Sequence, residues 1–237
     1  MTYSSLSEIG DRERNEDSIA CIARESSHCF VVADGLGAHG KGEVASLIAT
    51  ETFAREFHLD IGNNKAFLSR AFDMAQSKIM SAKQCANEMK TTCVALSISG
   101  GKFAWGHVGD SRLYYFSKEK FVRRTLDHTV SQMLAISGEI SDEDLCKHPD
   151  RNKLLRAMGD KWCVPRYELS KERRLTKGVA FLLCTDGFWE HLTNSAIIQA
   201  LKFSNNAEQW LAALLVVVKN ASNDFTVDNY SAIAVML

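Results

Sequence analysis

The chain has 237 residues, of which 46% are hydrophobic and only 2 are prolines, with 28 Lys and Arg against 29 Asp and Glu. This composition is typical of a globular protein and excludes an intrinsically disordered one. The net charge of -1 argues against a protein that binds nucleic acid through its phosphates, because such proteins carry a basic excess.

The cysteine content and the apolar runs indicate a cellular compartment. The seven cysteines form an odd set without a C-x-x-C pair, which is typical of a reducing environment. The N-terminus lacks the basic and then apolar plan of a secretory signal, and the longest apolar run, 210–218, is far shorter than the ~20 residues that cross a bilayer. We expect a cytoplasmic monomer without a membrane segment, and a single domain over 1–237, because no linker-like stretch divides the chain.

Short runs rich in β-branched or aromatic residues predict strands in chain order. They lie at 18–23, 28–33, 93–99, 103–108, 113–116, 179–184 and 231–237. Two long helices are predicted after the second strand and two helices before the last one, with apolar stripes at 67–79 and 210–218. Helices grouped between hairpin-like strands favour an α+β layered sandwich over regular βαβ alternation.

Two polar stretches are harder to assign. The basic stretch 118–124 is interpreted as a solvated face. From 127 to 172 the chain lacks long apolar strands and contains Pro149 and Pro165, so that small helices and loops over a surface are expected. Such a segment either contacts substrate or is a variable connection.

Five aspartates flank the predicted strands. Asp34, Asp110 and Asp186 follow strands, whereas Asp17 and Asp228 precede them. Turn formation explains any one of them, because Asp-Gly and Asp-Ser pairs are common in turns. The set is harder to explain in this way, since strand ends of one sandwich lie close together and crowded carboxylates repel one another unless a cation compensates.

Oxygen donors without a His or Cys at ligand spacing favour Mg²⁺, Mn²⁺ or Ca²⁺ over zinc, and the absence of EF-hand spacing disfavours Ca²⁺. Several carboxylates suit two ions, a pair that activates water for in-line displacement at phosphorus. Arg12, just ahead of Asp17, is either a surface residue or a fork for two phosphoryl oxygens. The glycine-rich loop at 34–43 is weak evidence for phosphate binding, because the Walker pattern is absent.

Nine short blocks follow one another in a recognisable order, and together they are far more specific than any one alone. The chain resembles the bacterial branch of the metal-dependent protein phosphatases, the type 2C serine/threonine phosphatase family. The blocks that carry this resemblance are 10–18, 32–39, 42–46, 91–92, 108–114, 127–129, 148–152, 182–187 and 228–231.

The resemblance implies a four-layer αββα sandwich, in which helices flank two antiparallel sheets and the metals lie at one end. It implies two Mn²⁺ or Mg²⁺ ions with a possible third, weaker site. Asp34 would bridge the two ions and the carbonyl of Gly35 would contact the first, while Asp186 and Asp228 would hold the second.

The resemblance also implies roles for residues around the two ions. Asp17, with Glu16 behind it, would act mainly through bound waters, and Asp110 would help to form the third site. Arg12 would hold the phosphate. The segment 127–174 would form a flap that borders substrate.

The chain departs from the family pattern at a few positions. Leu36 stands where eukaryotic members have a histidine proposed as general acid, so the leaving oxygen would take its proton from metal-bound water or another group. His39 is the nearby candidate, although a loop histidine is more often a structural hydrogen-bonding group. Ala38 and Lys90 each replace a glycine, and Lys90 could change packing or charge near the site.

The function implied by the resemblance is hydrolysis of phosphoserine and phosphothreonine in proteins by direct attack of a metal-bridged hydroxide. Phosphorylated proteins and a cognate serine/threonine kinase would be its partners, and no nucleic acid is expected. The cysteines are not expected to be nucleophiles, because none opens a C-x₅-R loop. A catalytically silent phosphoprotein-binding module remains an alternative that the intact aspartate set disfavours. A small-molecule phosphatase or a two-metal nuclease would use the same chemistry.

Overall fold

A computed structural model describes residues 1–37, 41–59, 62–83, 89–221 and 228–237. The strands are β1 (Thr2–Glu8), β2 (Asp17–Arg24), β3 (Ser27–Leu36), β4 (Lys90–Thr91), β5 (Cys93–Ser99), β6 (Lys102–Val108), β7 (Arg112–Ser117), β8 (Lys120–Arg124), β9 (Glu168–Leu169), β10 (Arg173–Arg174), β11 (Val179–Cys184) and β12 (Tyr230–Met236). The helices are α1 (Lys41–Leu59), α2 (Asn64–Ala82), α3 (Val130–Ser137), α4 (Asp186–Trp189), α5 (Asn194–Lys202) and α6 (Ala207–Ala221), with a 3₁₀ helix at Asp142–Lys147.

The strands form two sheets whose neighbouring strands are all antiparallel. One sheet has the order β1-β12-β11-β7-β8, and the other has the order β10-β6-β5-β3-β2, with β4 paired to β3 and β9 paired to β6. The seven predicted strands are all present, within a few residues of their expected ends.

Three apolar layers hold the fold together and confirm the four-layer αββα sandwich. Strand β3 illustrates their origin, because successive side chains of a strand point to opposite faces. Phe30 and Val32 pack between the two sheets, whereas Val31 and Ala33 pack against α1 and α2. A third layer joins the outer face of the other sheet to α4, α5 and α6.

Besides the two-residue strands β4, β9 and β10, two longer strands, β1 and β8, were not predicted. Both lie at an edge of their sheet, where a strand is held largely by backbone hydrogen bonds and needs no apolar run. The stretch 118–124, interpreted as a solvated face, contains β8, whose residues are mostly exposed. Edge strands of this kind carry charged side chains that discourage pairing with other chains.

The helices follow the predicted apolar stripes, with two differences. Three helices rather than two separate β11 from β12, because a single turn, α4, precedes α5 and α6. The segment 127–174 contains α3, the 3₁₀ helix and the short strands β9 and β10. Within the described ranges no helix is long and apolar enough to span a membrane.

The layer between the sheets yields a stability prediction. Phe181 is fully buried there, with ring centroids 4.9 Å from Phe103 and 5.4 Å from Tyr115. Phe181→Ala should lower the free energy of unfolding by about 3–5 kcal/mol in urea titrations, because it removes buried surface and leaves a cavity. Phe203→Ala is the matched control, since Phe203 is 88% exposed and its loss should change that free energy by less than about 0.5 kcal/mol. Equal losses in the two variants would contradict this layer assignment.

Candidate metal centre

The five aspartates singled out by sequence meet at one end of the sandwich. Asp17 and Asp34 are opposite each other in the β2–β3 register. Asp110 lies in the turn between β6 and β7, Asp186 begins α4 two residues after the end of β11, and Asp228 lies two residues before β12. The ends of both sheets therefore supply carboxylates to one place.

A cavity of about 800 Å³ opens among these strand ends. Seven acidic residues and two arginines belong to its described lining. The lining residues are Asp11, Arg12, Glu13, Arg14, Glu16, Asp34, Gly35, Leu36, Gly37, Asp110, Asn152, Leu154, Asp186, Asp228 and Asn229. Of the predicted flap, 127–174, two residues near its middle, Asn152 and Leu154, belong to this described lining.

Close backbone packing places the end of β3 against the start of α1. A Cβ atom on Gly35 would overlap the backbone of Gly42 and of Glu16, so that only glycine fits. The N–H of Gly35 donates to the carbonyl of Glu16 at 3.0 Å. Glu16 directs its carboxylate to the N–H groups of Gly42 and Glu43, and burial is the main cause that raises its pKa. Glu16 therefore stabilises the helix N-terminus as well as lining the cavity.

The backbone of Asp34 is fixed by two threonines. Thr92 Oγ1 accepts a hydrogen bond from the N–H of Asp34 at 3.0 Å and is 2.7 Å from Ser111 Oγ. The N–H of Thr92 and the hydroxyl of Thr91 both donate to the carbonyl of Asp34, each at 2.8 Å. Thr92 thus joins Asp34 to the turn that carries Asp110.

Thr185 joins Asp17 to the other sheet. Its hydroxyl donates to Asp17 Oδ2 at 3.0 Å and accepts from the N–H of Ser231 at 2.9 Å. The second carboxylate oxygen of Asp17, Oδ1, is buried and has no hydrogen-bond partner. A buried, unpartnered carboxylate oxygen is costly unless a cation binds it.

Asn229 fixes the loop that carries Arg12. Its side-chain amide donates to the carbonyls of Ile9 at 2.7 Å and Arg14 at 2.9 Å, and its Oδ1 accepts from the N–H of Glu16 at 2.8 Å. Arg12 Nη2 donates to Asp228 Oδ2 at 2.7 Å, and the two side chains are 58% and 45% exposed. The arginine therefore lies at the open rim of the carboxylate cluster.

The electrostatics of the cluster favour a cation. Burial raises the pKa of Asp17 to about 7, and it raises the pKa values of Asp34 and Asp110 well above their usual range, with repulsion from Asp186 adding in each case. Burial and the nearby Asp228 also raise the pKa of Asp186. Carboxylates so placed bind either protons or a cation. Oxygen-only donors together with the unpartnered Asp17 Oδ1 fit hard divalent ions such as Mn²⁺ and Mg²⁺.

The structure thus brings Arg12, Glu16, Gly35 and the five aspartates together at one end of the sandwich. Leu36 lines the cavity, and Lys90 Nζ is 2.7 Å from Asp160 Oδ1 in the predicted flap. Ala38 and His39 lie outside the described residues.

Sequence reasoning assigned no role to Thr92, Thr185 or Asn229. The available signal was adjacency, since Thr185 directly precedes Asp186 and Asn229 directly follows Asp228. Thr92 offered only its place in a resembling block.

Comparisons with known proteins agree on one family. The family model described as "Protein phosphatase 2C" matches residues 6–222. "Serine/threonine protein phosphatase PstP" of Mycobacterium tuberculosis is 31% identical over 216 residues, which cover 88% of this chain and 40% of that protein. "Serine/threonine phosphatase stp" of Listeria innocua is 28% identical over 207 residues, which cover 81% of this chain and 79% of that protein.

A solved structure is similar over nearly the whole chain. The catalytic domain of PstP, described as a complex with 2 manganese ions, has a TM-score of 0.82 and 26% identity, with 98% of this chain and 96% of that one covered. This chain spans only 40% of the length of the curated PstP, so the likeness concerns that catalytic domain.

The raised carboxylate pKa values predict how stability depends on pH. Because Asp17 and Asp34 bind protons more readily in the folded chain than in the unfolded one, the folded state loses stability as pH rises through their folded pKa values. The free energy of unfolding in EDTA should therefore fall as pH rises from about 5 to about 7, the folded pKa of Asp17, and saturating Mn²⁺ should reduce the slope. Urea titrations at each pH measure it. A free energy of unfolding that rises with pH over this interval in EDTA, or that has the same slope with and without Mn²⁺, would contradict the prediction.

The threonine that joins Asp34 to Ser111 yields a second prediction. Thr92 is fully buried, and Thr92→Val keeps its shape but removes the hydroxyl that pairs the N–H of Asp34, so the free energy of unfolding should fall by about 1–3 kcal/mol. Thr92→Ser keeps the hydroxyl and should lose less. Urea denaturation compares the two variants, and a valine variant at least as stable as the serine variant would show that the hydroxyl contributes nothing.

Proposed function

The chain belongs to the protein phosphatase 2C family, and from that premise we propose that it is a Mn²⁺- or Mg²⁺-dependent phosphatase that hydrolyses phosphoserine and phosphothreonine in proteins. The observation that carries the proposal is the meeting of five aspartates at one end of the sandwich, with an arginine at the rim. The named relatives, which are serine/threonine phosphatases, support the choice of substrate.

The carboxylate cluster has the donors for two divalent ions. In this proposal Asp34 and the carbonyl of Gly35 would hold the first ion, and Asp34, Asp186 and Asp228 would hold the second. Bound in pairs, such ions neutralise phosphoryl oxygens and activate water. The PstP structure with 2 manganese ions supports this number.

Further acidic residues complete the proposed site. Asp17, backed by Glu16, contributes through water, and Asp110 helps to form a third, weaker site. Thr92 accepts a hydrogen bond from the backbone N–H of Asp34, and Thr185 donates one to the carboxylate of Asp17, so that both aspartates would be held in place for the ions.

Arg12 is the group that we assign to the phosphate. A guanidinium presents five donors in a planar fork, which suits two phosphoryl oxygens at once. Its hydrogen bond to Asp228 occupies one nitrogen, and the loop beneath it is fixed by Asn229. The side chain is thus oriented toward the carboxylates and remains accessible to substrate.

Leu36 cannot give a proton to the leaving serine or threonine oxygen. The described lining of the cavity contains no histidine either. We therefore propose that water supplies this proton, with His39 as the side-chain alternative outside the described residues.

The surroundings of the site suit a protein substrate. We propose that the segment 127–174 acts as a flap along the open cavity, to which it contributes Asn152 and Leu154. The whole chain, 1–237, would act as one domain and as a monomer in the cytoplasm, opposing a serine/threonine kinase.

A turnover assay tests the proposed function. Release of phosphate from a phosphothreonine peptide should require added Mn²⁺ and stop in EDTA, and Asp34→Asn should lower it by more than about a hundredfold, because even residues behind a metal ligand affect activity by 10- to 100-fold. Glu208→Gln is the control, since Glu208 is an exposed carboxylate in the first turn of α6, outside the proposed flap.

Each other outcome has a definite meaning. Turnover that survives EDTA or Asp34→Asn would refute the proposal. Mn²⁺ binding without turnover would identify a silent binding module. Turnover of small phosphoesters alone would identify a small-molecule phosphatase.

Arg12 yields a separate kinetic prediction. Arg12→Ala should lower kcat/KM for the phosphopeptide by about ten- to a hundredfold, because hydrogen bonds to a charged group contribute roughly 1.5–3 kcal/mol. Arg12→Lys keeps the positive charge but loses the planar fork, so its kcat/KM should lie between that of Arg12→Ala and that of the parent chain. An unchanged kcat/KM in Arg12→Ala would show that another group binds the phosphate.

A further inference from the structure

A second cluster of ionisable side chains lies away from the carboxylates. His107 in β6, His128 and Glu168 in β9 place potential ligand atoms within 4.8 Å of one another. The two histidines are buried, and their rings stack with centroids 4.7 Å apart and planes 13° apart. By composition alone, this cluster would suit a transition-metal ion.

The hydrogen bonds argue against a metal at this place. His128 Nδ1 accepts from the N–H of Gly109 at 3.1 Å, so in the neutral ring the proton is on Nε2, which is 3.2 Å from its acceptor, Glu168 Oε1. A protonated nitrogen has no lone pair for a metal. Arg156 Nη1 lies 3.3 Å from the same Glu168 oxygen and already supplies its positive charge.

His107 is engaged in the same manner. Its Nε2 is 2.8 Å from the carbonyl of Leu126, which can only accept, so this nitrogen also carries its proton. Burial lowers the pKa of both histidines, that of His128 to about 4, which agrees with neutral rings. The cluster is therefore a hydrogen-bonded support.

What the cluster supports is the turn that carries Asp110. His128 bonds both polar backbone groups of Gly109. Its ring Nδ1 accepts from the Gly109 N–H, and its backbone N–H donates to the Gly109 carbonyl at 3.0 Å. Gly109 has φ +97°, and a Cβ atom there would lie 2.6 Å from Thr92 Cβ. On the far side, Trp189 Nε1 donates to the carbonyl of Asp110 at 3.0 Å.

We propose that His128 is a positioning residue for Asp110, held in the required tautomer by Glu168 of β9. The inference rests on the proposed function in one respect only, the assignment of Asp110 to a third and weaker cation site. It adds a physical link from the flap to that site, because β9 belongs to the segment 127–174. A residue that orients a ligand in this way commonly changes metal affinity by roughly 10- to 100-fold.

Equilibrium Mn²⁺ binding to the full chain, measured by calorimetry and by electron paramagnetic resonance of free Mn²⁺, tests the proposal without any turnover. His128→Ala should weaken the weakest Mn²⁺ site by roughly tenfold or more and leave the tighter sites within about twofold. His128→Asn should restore most of that affinity, since an Asn side-chain oxygen can take the place of Nδ1 and accept from Gly109.

A pair of variants on the surface of the flap avoids the risk of misfolding. Glu168→Ala removes the partner of His128 Nε2 and should weaken the same site by a smaller factor, about threefold or more. Glu172→Ala is the matched control, because Glu172 bonds Lys102 and Asn64 and does not contact His128.

The proposal is overturned if His128→Ala binds the weakest ion as the parent does, if His128→Asn is as weak as His128→Ala, or if the two glutamate variants agree. Asp110→Asn must abolish the weakest binding phase, and a phase that survives this change also overturns it. The proposed function is judged separately, by EDTA-sensitive turnover of the phosphopeptide, so the two failures are distinguishable.

Discussion

Mutual repulsion among five aspartates at one end of a sandwich is the constraint on which the rest of the structure depends. Each carboxylate is at least partly buried, and each of the other four raises the pKa of Asp34. An arrangement of this kind opposes folding unless a counter-charge is supplied. The fold tolerates this electrostatic cost, because its three apolar layers hold the strand ends in place whether or not a cation compensates the carboxylates.

The frame around the site fixes the backbone beside the aspartates and also bonds some of their carboxylate oxygens, including both oxygens of Asp228. Thr92 fixes the peptide of Asp34, Asn229 fixes the loop of Arg12, and His128 fixes Gly109 ahead of Asp110. In Asp17, Oδ2 accepts a hydrogen bond from Thr185, whereas Oδ1 is buried and has no hydrogen-bond partner. Such a site binds a cation more tightly, but the folded protein is less stable when the cation is absent.

How far the sequence could predict this structure depends on the kind of residue. Buried strands such as β3 and β11 have continuous apolar runs and were predictable, and the positions of Asp34 and Asp186 at their ends followed from them. Edge strands β1 and β8 were missed, because backbone pairing leaves little trace in their side chains. Spacing alone left open which acid would serve which ion, and the family resemblance is the source of the assignment that we propose.

The supporting residues were the least predictable part. In the sequence, Thr92 and Thr185 cannot be distinguished from ordinary residues at strand ends. Their hydrogen bonds join chain positions that are 58 and 168 residues apart. The partners of His128 lie 19 and 40 residues away, on different elements. Only the packed sheets bring such groups together, so pattern reasoning has no local signal to use.

The central claim, that a cation relieves repulsion among the carboxylates, is tested most directly by the unfolding free energies of the parent chain and Asp34→Asn, each in EDTA and in saturating Mn²⁺. Removing one charge should make the variant more stable than the parent in EDTA, whereas losing a ligand should make it less stable than the parent in Mn²⁺. A reversal of order between the two conditions is the predicted result. A variant that is less stable than the parent in both would contradict the account.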